Sequence, residues 1–168
     1  MITKATLEDV TSLNKLINSA YRGESSKQGW TTEANLLHGL RTTEEELTGT
    51  ILEPKNTILK FTDANSLIAC VLLIKKEQQL YLGMLTVSPA LQNSGIGKKL
   101  LHEAEIHAIS LGLPKITMTV ISVREELIAW YKRRGYFDTG AREPFPVSDV
   151  HVSISDQPLE FNVLEKKI

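Results

Sequence analysis

With a single cysteine, Cys70, among 168 residues, the chain can close no intrachain disulfide and build no cysteine-based zinc site. A lone thiol suits a reducing compartment, so a cytoplasmic location is expected. Neither charge dominates. The 19 Lys and Arg stand against 20 Asp and Glu, for a net charge of −1. That leaves no basic field to gather nucleic acid, and no nucleic-acid partner is expected. No apolar run reaches the roughly 18 residues of a membrane span. The opening Met1-Ile-Thr-Lys-Ala-Thr-Leu-Glu-Asp9 turns polar at once, without the apolar stretch of a signal peptide. No membrane partner is expected either. The histidines, His38, His102, His107 and His151, are scattered and show no His-x-x-x-His spacing, so no metal is expected. No repeat or linker divides the sequence, and residues 1–168 suit one domain.

What is present is an ordinary apolar share, 42%, in a pattern whose period changes along the chain. Residues 2–4 read as a short strand. Thr6, with Asp9 three positions on, predicts a helix N-cap, and Val10, Leu13, Ile17, Ala20 and Tyr21 follow as one apolar face. Residues 30–40 read as a second, less regular helix, and Thr42 with Glu45 as the start of another. Residues 57–61 and 66–75 read as strands joined by a turn at Asp63-Ala-Asn65. The unbroken apolar run from Leu67 to Ile74 predicts a strand covered on both faces. Residues 80–87 make a third strand. A helix begins near Gly95, buries Leu100, Leu101, Ala104 and Ala108, and stops at Gly112-Leu-Pro114. A strand at 116–121 follows, and Ser122 with Glu125 predicts a capping box for a helix that ends at Gly135. Strands at 136–139 and 159–165 flank a long loop holding Pro144, Pro146 and Pro158. This order predicts a mixed α/β (α+β) domain.

The segment from Tyr81 to Leu101 runs strand, loop, glycine turn, helix. A helix N-terminus leaves N–H groups unpaired and carries partial positive charge. Both suit a pyrophosphate. Gly95 and Gly97 allow close backbone approach. Lys98 and Lys99 oppose the local dipole, a conflict that an anion relieves. The spacing is neither the Gly-x-Gly-x-x-Gly of a dinucleotide fold nor a Walker loop. A bare Gly-x-Gly serves equally well as a tightly packed connection.

Here the residues resemble a known family. Gln92-Asn-Ser-Gly95-Ile-Gly97 is similar to the Gln/Arg-x-x-Gly-x-Gly/Ala signature of GNAT acetyltransferases, and Leu85-Thr-Val-Ser-Pro89 to the end of their fourth strand. Tyr131-Lys-Arg-Arg-Gly135-Tyr136, about 30 residues on, resembles the ending of the family's second motif. Two motifs in the right order are far more specific than either alone. The resemblance covers residues 80–139 well and the N-terminal third by layout only. It implies a mixed, mostly antiparallel central sheet of about six to seven strands flanked by about four helices. It implies acetyl-CoA as co-substrate and an N-acetyltransferase that moves an acetyl group directly to a primary amine, most simply that of a small molecule. A peptide or protein acceptor, or a non-catalytic acyl-CoA-binding module, are the alternatives. Many members pair, so the resemblance also implies a homodimer.

The same resemblance distributes roles. Backbone N–H groups of Gln92, Asn93, Ser94, Gly95, Ile96, Gly97 and Lys98 would hold the coenzyme pyrophosphate. The strand Leu85-Thr86-Val87 would bond the pantetheine arm and supply an oxyanion donor. That strand is bulged in the family and splays from its neighbour. Tyr131 would stand beside the sulfur and protonate or stabilise the leaving thiolate, since tyrosine titrates near 10 and a free thiol near 8.5. Without the family it reads as a core tyrosine. Arg124 occupies a position where many members have asparagine, seven residues before the tyrosine. Its fork suits coenzyme phosphate or substrate carboxylate, and it equally suits a solvated first turn. The strand Gly83-Met-Leu-Thr-Val87 offers no acid. The base then comes from elsewhere or from an ordered water chain; Glu33 is the first candidate, because Trp30-Thr-Thr-Glu33 falls in the region that walls the acceptor site in the family, with a surface glutamate as the plainer reading. Trp30 and Tyr21 are candidates for the acceptor wall or for core. Cys70 sits in an apolar strand and is expected to be inert. The run Lys132-Arg-Arg134 reads as a helix end that could reach the 3′-phosphate.

Overall fold

The computed structural model describes residues 1–21, 37–38, 41–144, 152–153 and 159–168. From the amino end, β1 (Ile2–Lys4) leads through a 3-10 turn (Leu7–Asp9) into α1 (Val10–Tyr21). Then come β2 (Leu37–His38), α2 (Glu44–Leu52), β3 (Asn56–Asp63), β4 (Ser66–Lys75) and β5 (Leu80–Val87). A second 3-10 turn (Pro89–Leu91) precedes α3 (Ile96–Ser110), β6 (Lys115–Ile121) and α4 (Glu125–Arg133). The chain closes with β7 (Phe137–Pro144), β8 (Val152–Ser153) and β9 (Glu160–Lys167). Seven strands form one sheet in the order β1-β3-β4-β5-β6-β9-β7. Every pairing is antiparallel except β5 with β6. This is the mixed, mostly antiparallel architecture that the sequence predicts.

Strand β4 explains the layering. Successive side chains of a strand point to opposite faces, so an unbroken apolar run requires cover on both. Ala69, Val71 and Leu73 enter one core, and Cys70 and Leu72 the other. α1 and α2 cover the Cys70 face with Leu13, Ile17, Ala20 and Leu47. α3 and α4 cover the opposite face with Leu100, Ala104, Ala108, Ile128 and Tyr131. Each large aliphatic side chain buried this way stabilises the fold by about 1.5–3 kcal/mol. No helix of the described residues is long and apolar enough to cross a membrane.

Local chemistry sets the joints. The β3–β4 hairpin turns on Ala64 and Asn65, both left-handed at φ 49° and 66°, the geometry that matches strand twist in a two-residue turn. Thr6 and Asp9 meet at the start of the first 3-10 turn, the Thr6 amide donating to the Asp9 carboxylate at 2.8 Å and the Asp9 amide to the Thr6 carbonyl at 2.9 Å. Other expectations shift. The cap of α2 is Thr43, whose hydroxyl accepts from the Glu46 amide at 3.1 Å, while Thr42 bonds the Glu46 carboxylate. Ser122 does not cap α4. Its hydroxyl donates to Asn162 Oδ1 on β9, and the helix opens after Arg124. Within the expected helix at 30–40, Leu37 and His38 are instead extended and pair with Ser153 and Val152, a distant segment that local periodicity cannot see. β7 continues to Pro144 because it is the edge of the sheet, where a missing N–H is tolerated.

The feature that matters for function lies in the middle of the sheet. The β4–β5 register slips between Cys70 and Leu72, and Met84 opposite sits at φ 49°. This is a β-bulge, and bulges bend their strand. β5 pairs with β6 only at Leu80 with Ile116 and Tyr81 with Thr117. β6 stays paired with β9 along its whole length. The second half of β5 therefore leaves β6, and a gap opens in the sheet.

Candidate active site

Two cavities occupy this gap. The larger, about 360 Å³, is walled by Leu85 and Val87 of β5, by the turn from Leu91 to Lys98, and by α4 through Leu127, Trp130 and Tyr131. Along β5 the Ser88 amide donates to Ile68 of β4 at 2.8 Å. Strand alternation turns the Val87 amide and carbonyl the other way, toward the gap. Gln92 Nε2 donates to that Val87 carbonyl at 3.1 Å and ties the turn to the strand. Asn93 and Gly95 are both left-handed, at φ 71° and 85°. Such turns gather backbone N–H groups into an anion-binding concavity. Gly95 also caps α3 without any side-chain bond, and the first-turn amides have no carbonyl of their own helix to meet. A Cβ built on Gly95 would touch nothing within 4 Å. The space beside it is open.

Gly97 is different. A Cβ there would lie 3.3 Å from the Trp130 ring, so its missing side chain makes room for the indole rather than for a strained backbone. Trp130 stands edge-on to Tyr131, centroids 5.1 Å apart, and Arg134 lies over its face at 4.4 Å. Cation–aromatic contact of this kind is favourable. The indole is thus fixed as one wall.

The smaller cavity, about 190 Å³, shares Leu85, Leu127 and Tyr131 with the larger. Its polar wall holds Arg41, Arg124 and the pair Tyr81 and Thr119, whose hydroxyls are 2.8 Å apart. Arg41 is set by α1. The Asn18 side chain accepts from the Arg41 amide at 2.6 Å and the Thr42 amide at 3.2 Å, and donates to the Thr42 carbonyl at 3.0 Å. Tyr131, 6% exposed, is the polar side chain common to both cavities.

The sequence-derived residues distribute as follows. Leu85, Val87, Gln92, Asn93, Ser94, Gly95, Ile96, Gly97 and Lys98 all line the larger cavity. Thr86 does not. It is buried, and its hydroxyl donates to the Met84 carbonyl at 2.9 Å. Arg124 lines the smaller cavity, away from the glycine turn. Tyr21 is the last residue of α1, and its side chain lies outside the described part, as do Trp30 and Glu33 entirely. Cys70 is fully buried, and burial pushes its thiol up to about 12, which leaves no thiolate for covalent chemistry. Arg133 and Arg134 of the basic run line the larger cavity.

Sequence reasoning did not single out Trp130 or Arg41. The signal for Trp130 is its complement, a glycine at the start of the facing helix, which only the packing reveals. Arg41 has no local signal, since its position depends on Asn18 some twenty residues earlier.

Comparison with known proteins follows the same lines. A family model described as "Acetyltransferase (GNAT) family" matches residues 13–136. Solved structures with the same fold include the ribosomal-protein-S18-alanine N-acetyltransferase from Escherichia coli, at 14% identity and TM-score 0.75, covering 100% of this chain and 93% of that one. The PaiA N-acetyltransferase from Thermoplasma acidophilum, solved in complex with coenzyme A, is 18% identical at TM-score 0.70, covering 100% and 98%. An N-acetyltransferase from Staphylococcus aureus Mu50 is 15% identical at TM-score 0.73, covering 99% and 97%. Sequence comparison with curated proteins finds no match.

Proposed function

Because the chain belongs to the acetyltransferase (GNAT) family, we propose that it moves an acetyl group from acetyl-CoA directly to the primary amine of a small molecule. The observation that carries this reading is the pair of cavities meeting at Tyr131 in a gap between β5 and β6. A two-substrate transfer needs two binding spaces with one shared reacting point, and this arrangement supplies them. The two cores share one sheet, which supports reading residues 1–168 as one domain.

Acetyl-CoA fits the larger cavity by the chain's own chemistry. The left-handed turn at Asn93 and Gly95, the open space beside Gly95, and Lys98 suit its pyrophosphate. The thioester supplies an acyl carbon ready for attack. The remaining requirements fall on protein groups. The Val87 amide, turned toward the gap, is a donor for developing oxyanion charge. The Tyr131 hydroxyl supplies a proton to the departing sulfur. Leu85, Leu127 and Trp130 keep the reacting region apolar and exclude water. With the Cys70 thiol locked in its protonated form by burial, transfer is direct rather than through an acetylated cysteine.

A protein acceptor is the second reading. It is favoured by the shared fold with an enzyme named for acetylating ribosomal-protein alanine. The test is to supply acetyl-CoA with free amines and with peptides, and to follow release of the CoA thiol. Amine-dependent release is the expected result. Tight acetyl-CoA binding with no transfer to any amine or peptide would contradict the proposal and leave an acyl-CoA-binding module.

A further inference from the structure

We propose that Tyr81 holds the acceptor amine, its hydroxyl oxygen accepting a hydrogen bond from the attacking nitrogen in the smaller cavity; this rests on the acetyl-transfer reading above. Tyr81 and Thr117 are the last residues at which β5 and β6 pair. From that fork the Tyr81 side chain reaches two residues further along the neighbouring strand, where its hydroxyl meets that of Thr119 at 2.8 Å. Strand alternation fixes the side of the sheet. Leu80 and Leu82 enter the core under α3 and α4, so Tyr81 between them lies on the opposite side. Thr119 lies on that side too, between Met118 and Val120 of the same core. A Cβ on Gly83 would stand 3.2 Å from the Tyr81 ring, so the ring takes the space that a side chain at 83 would need. Both strands are interior to the sheet. Even so, Tyr81 and Thr119 each keep surface while the residues on either side of them are buried. From Ile116 to Ile121, Thr119 alone does so. The smaller cavity, which both residues line, accounts for that surface.

The hydroxyl pair has bonding capacity to spare. A phenol is a stronger acid than an aliphatic alcohol, so Tyr81 donates to Thr119, and the Tyr81 oxygen still accepts. The described wall of this cavity carries no carboxylate, and Tyr131 is assigned above to the departing sulfur. A primary amine keeps two N–H groups while its lone pair points at the thioester carbon, and one of them donates to Tyr81. As the N–C bond forms, the carbonyl π pair moves to oxygen and positive charge develops on nitrogen. The bond to Tyr81 then strengthens, which favours the transition state over the bound amine. The nitrogen releases a proton to water, and the C–S bond breaks as Tyr131 protonates sulfur. The cavity volume of about 190 Å³ equals roughly six waters, which admits the amine with a short stretch of carbon behind it. Tyr81 thus orients the nucleophile, and Tyr131 serves the leaving group.

The test begins with a panel of acceptors: n-butylamine, benzylamine, spermidine, the twenty L-amino acids and a tetrapeptide with a free amino end. The one that releases CoA thiol fastest is taken forward. Tyr81→Phe removes one oxygen and should lower kcat/KM for that acceptor by about 10- to 100-fold, the range for a hydrogen bond to a charged group. The acetyl-CoA Kd, read by calorimetry, should stay unchanged. Thr119→Val breaks the same pair but leaves the Tyr81 oxygen in place, and should cost clearly less. A pair that merely braces the fork predicts otherwise. The two variants, having lost the same bond, would then lower activity alike and weaken acetyl-CoA binding as well. That result, or full kcat/KM in Tyr81→Phe, would overturn the inference while leaving acetyl transfer intact. No CoA release with any acceptor of the panel would instead overturn the reading beneath it, and the inference with it.

Discussion

Gly95 holds φ at 85° with open space where a Cβ would stand, whereas Gly97 is helical and faces the Trp130 ring at 3.3 Å. The two glycines of one motif therefore answer different demands. In Gly95→Ala, the left-handed backbone costs about 1–2 kcal/mol, and the new methyl enters the cavity. We expect acetyl-CoA affinity to fall about tenfold or more, read by calorimetry, with a modest drop in Tm. Tyr131→Phe removes only a hydroxyl from the shared wall. It should lower kcat by about 100-fold, the lower end of general-acid contributions, with little change in acetyl-CoA Kd. Equal losses in both would assign Tyr131 to binding rather than proton delivery. Cys70, its thiol pushed up to about 12 by burial, should resist iodoacetamide at pH 8 in the native protein and react once the protein is denatured. Fast native labelling would contradict the packing. The glycine turn and Tyr131 could be singled out in the sequence only through the family resemblance, whose motifs recur at fixed spacing. Arg41 and Trp130 could not, because each takes its place from a residue far along the chain.

At the scale of elements, side chains link segments that the backbone leaves apart. Asp9 closes the 3-10 turn through the Thr6 amide at 2.8 Å and reaches Lys60 on β3 at 2.8 Å. Burial would raise its carboxyl, but the bonds from Lys60 and Thr6 outweigh burial, and the result lies below the usual 3.8. A depressed carboxyl stabilises the fold above its unfolded value, and that contribution is lost as pH falls through the folded value. Asp9→Asn should therefore cost about 1–2 kcal/mol near neutral pH, combining a cap with a partly buried charge pair. The difference from the parent protein should shrink below about pH 4 in denaturant melts. A pH-independent difference would show that the carboxylate charge is not what matters. Strands and helices were mostly readable from period, yet several joints were not. Ser122 looked like a cap but bonds Asn162 across to β9. Leu37 and His38 sat within a helical pattern but pair with β8. In each case a partner distant in sequence outcompetes the local preference.

Across the whole molecule, one bulge at Met84 and two parallel pairs between β5 and β6 turn a continuous sheet into one with an opening at its centre. Helices cover both faces of the sheet on which this opening lies. No sequence period reports a splay, because both strands keep ordinary strand residues; only the family resemblance anticipated it. On the proposed function, this opening with its glycine turn holds acetyl-CoA. The most direct measurement is calorimetric titration of the protein with acetyl-CoA, with NAD and ATP as controls. Micromolar binding of acetyl-CoA, with neither nucleotide competing, is the predicted result. Absence of binding, or equal binding of all three, would contradict it.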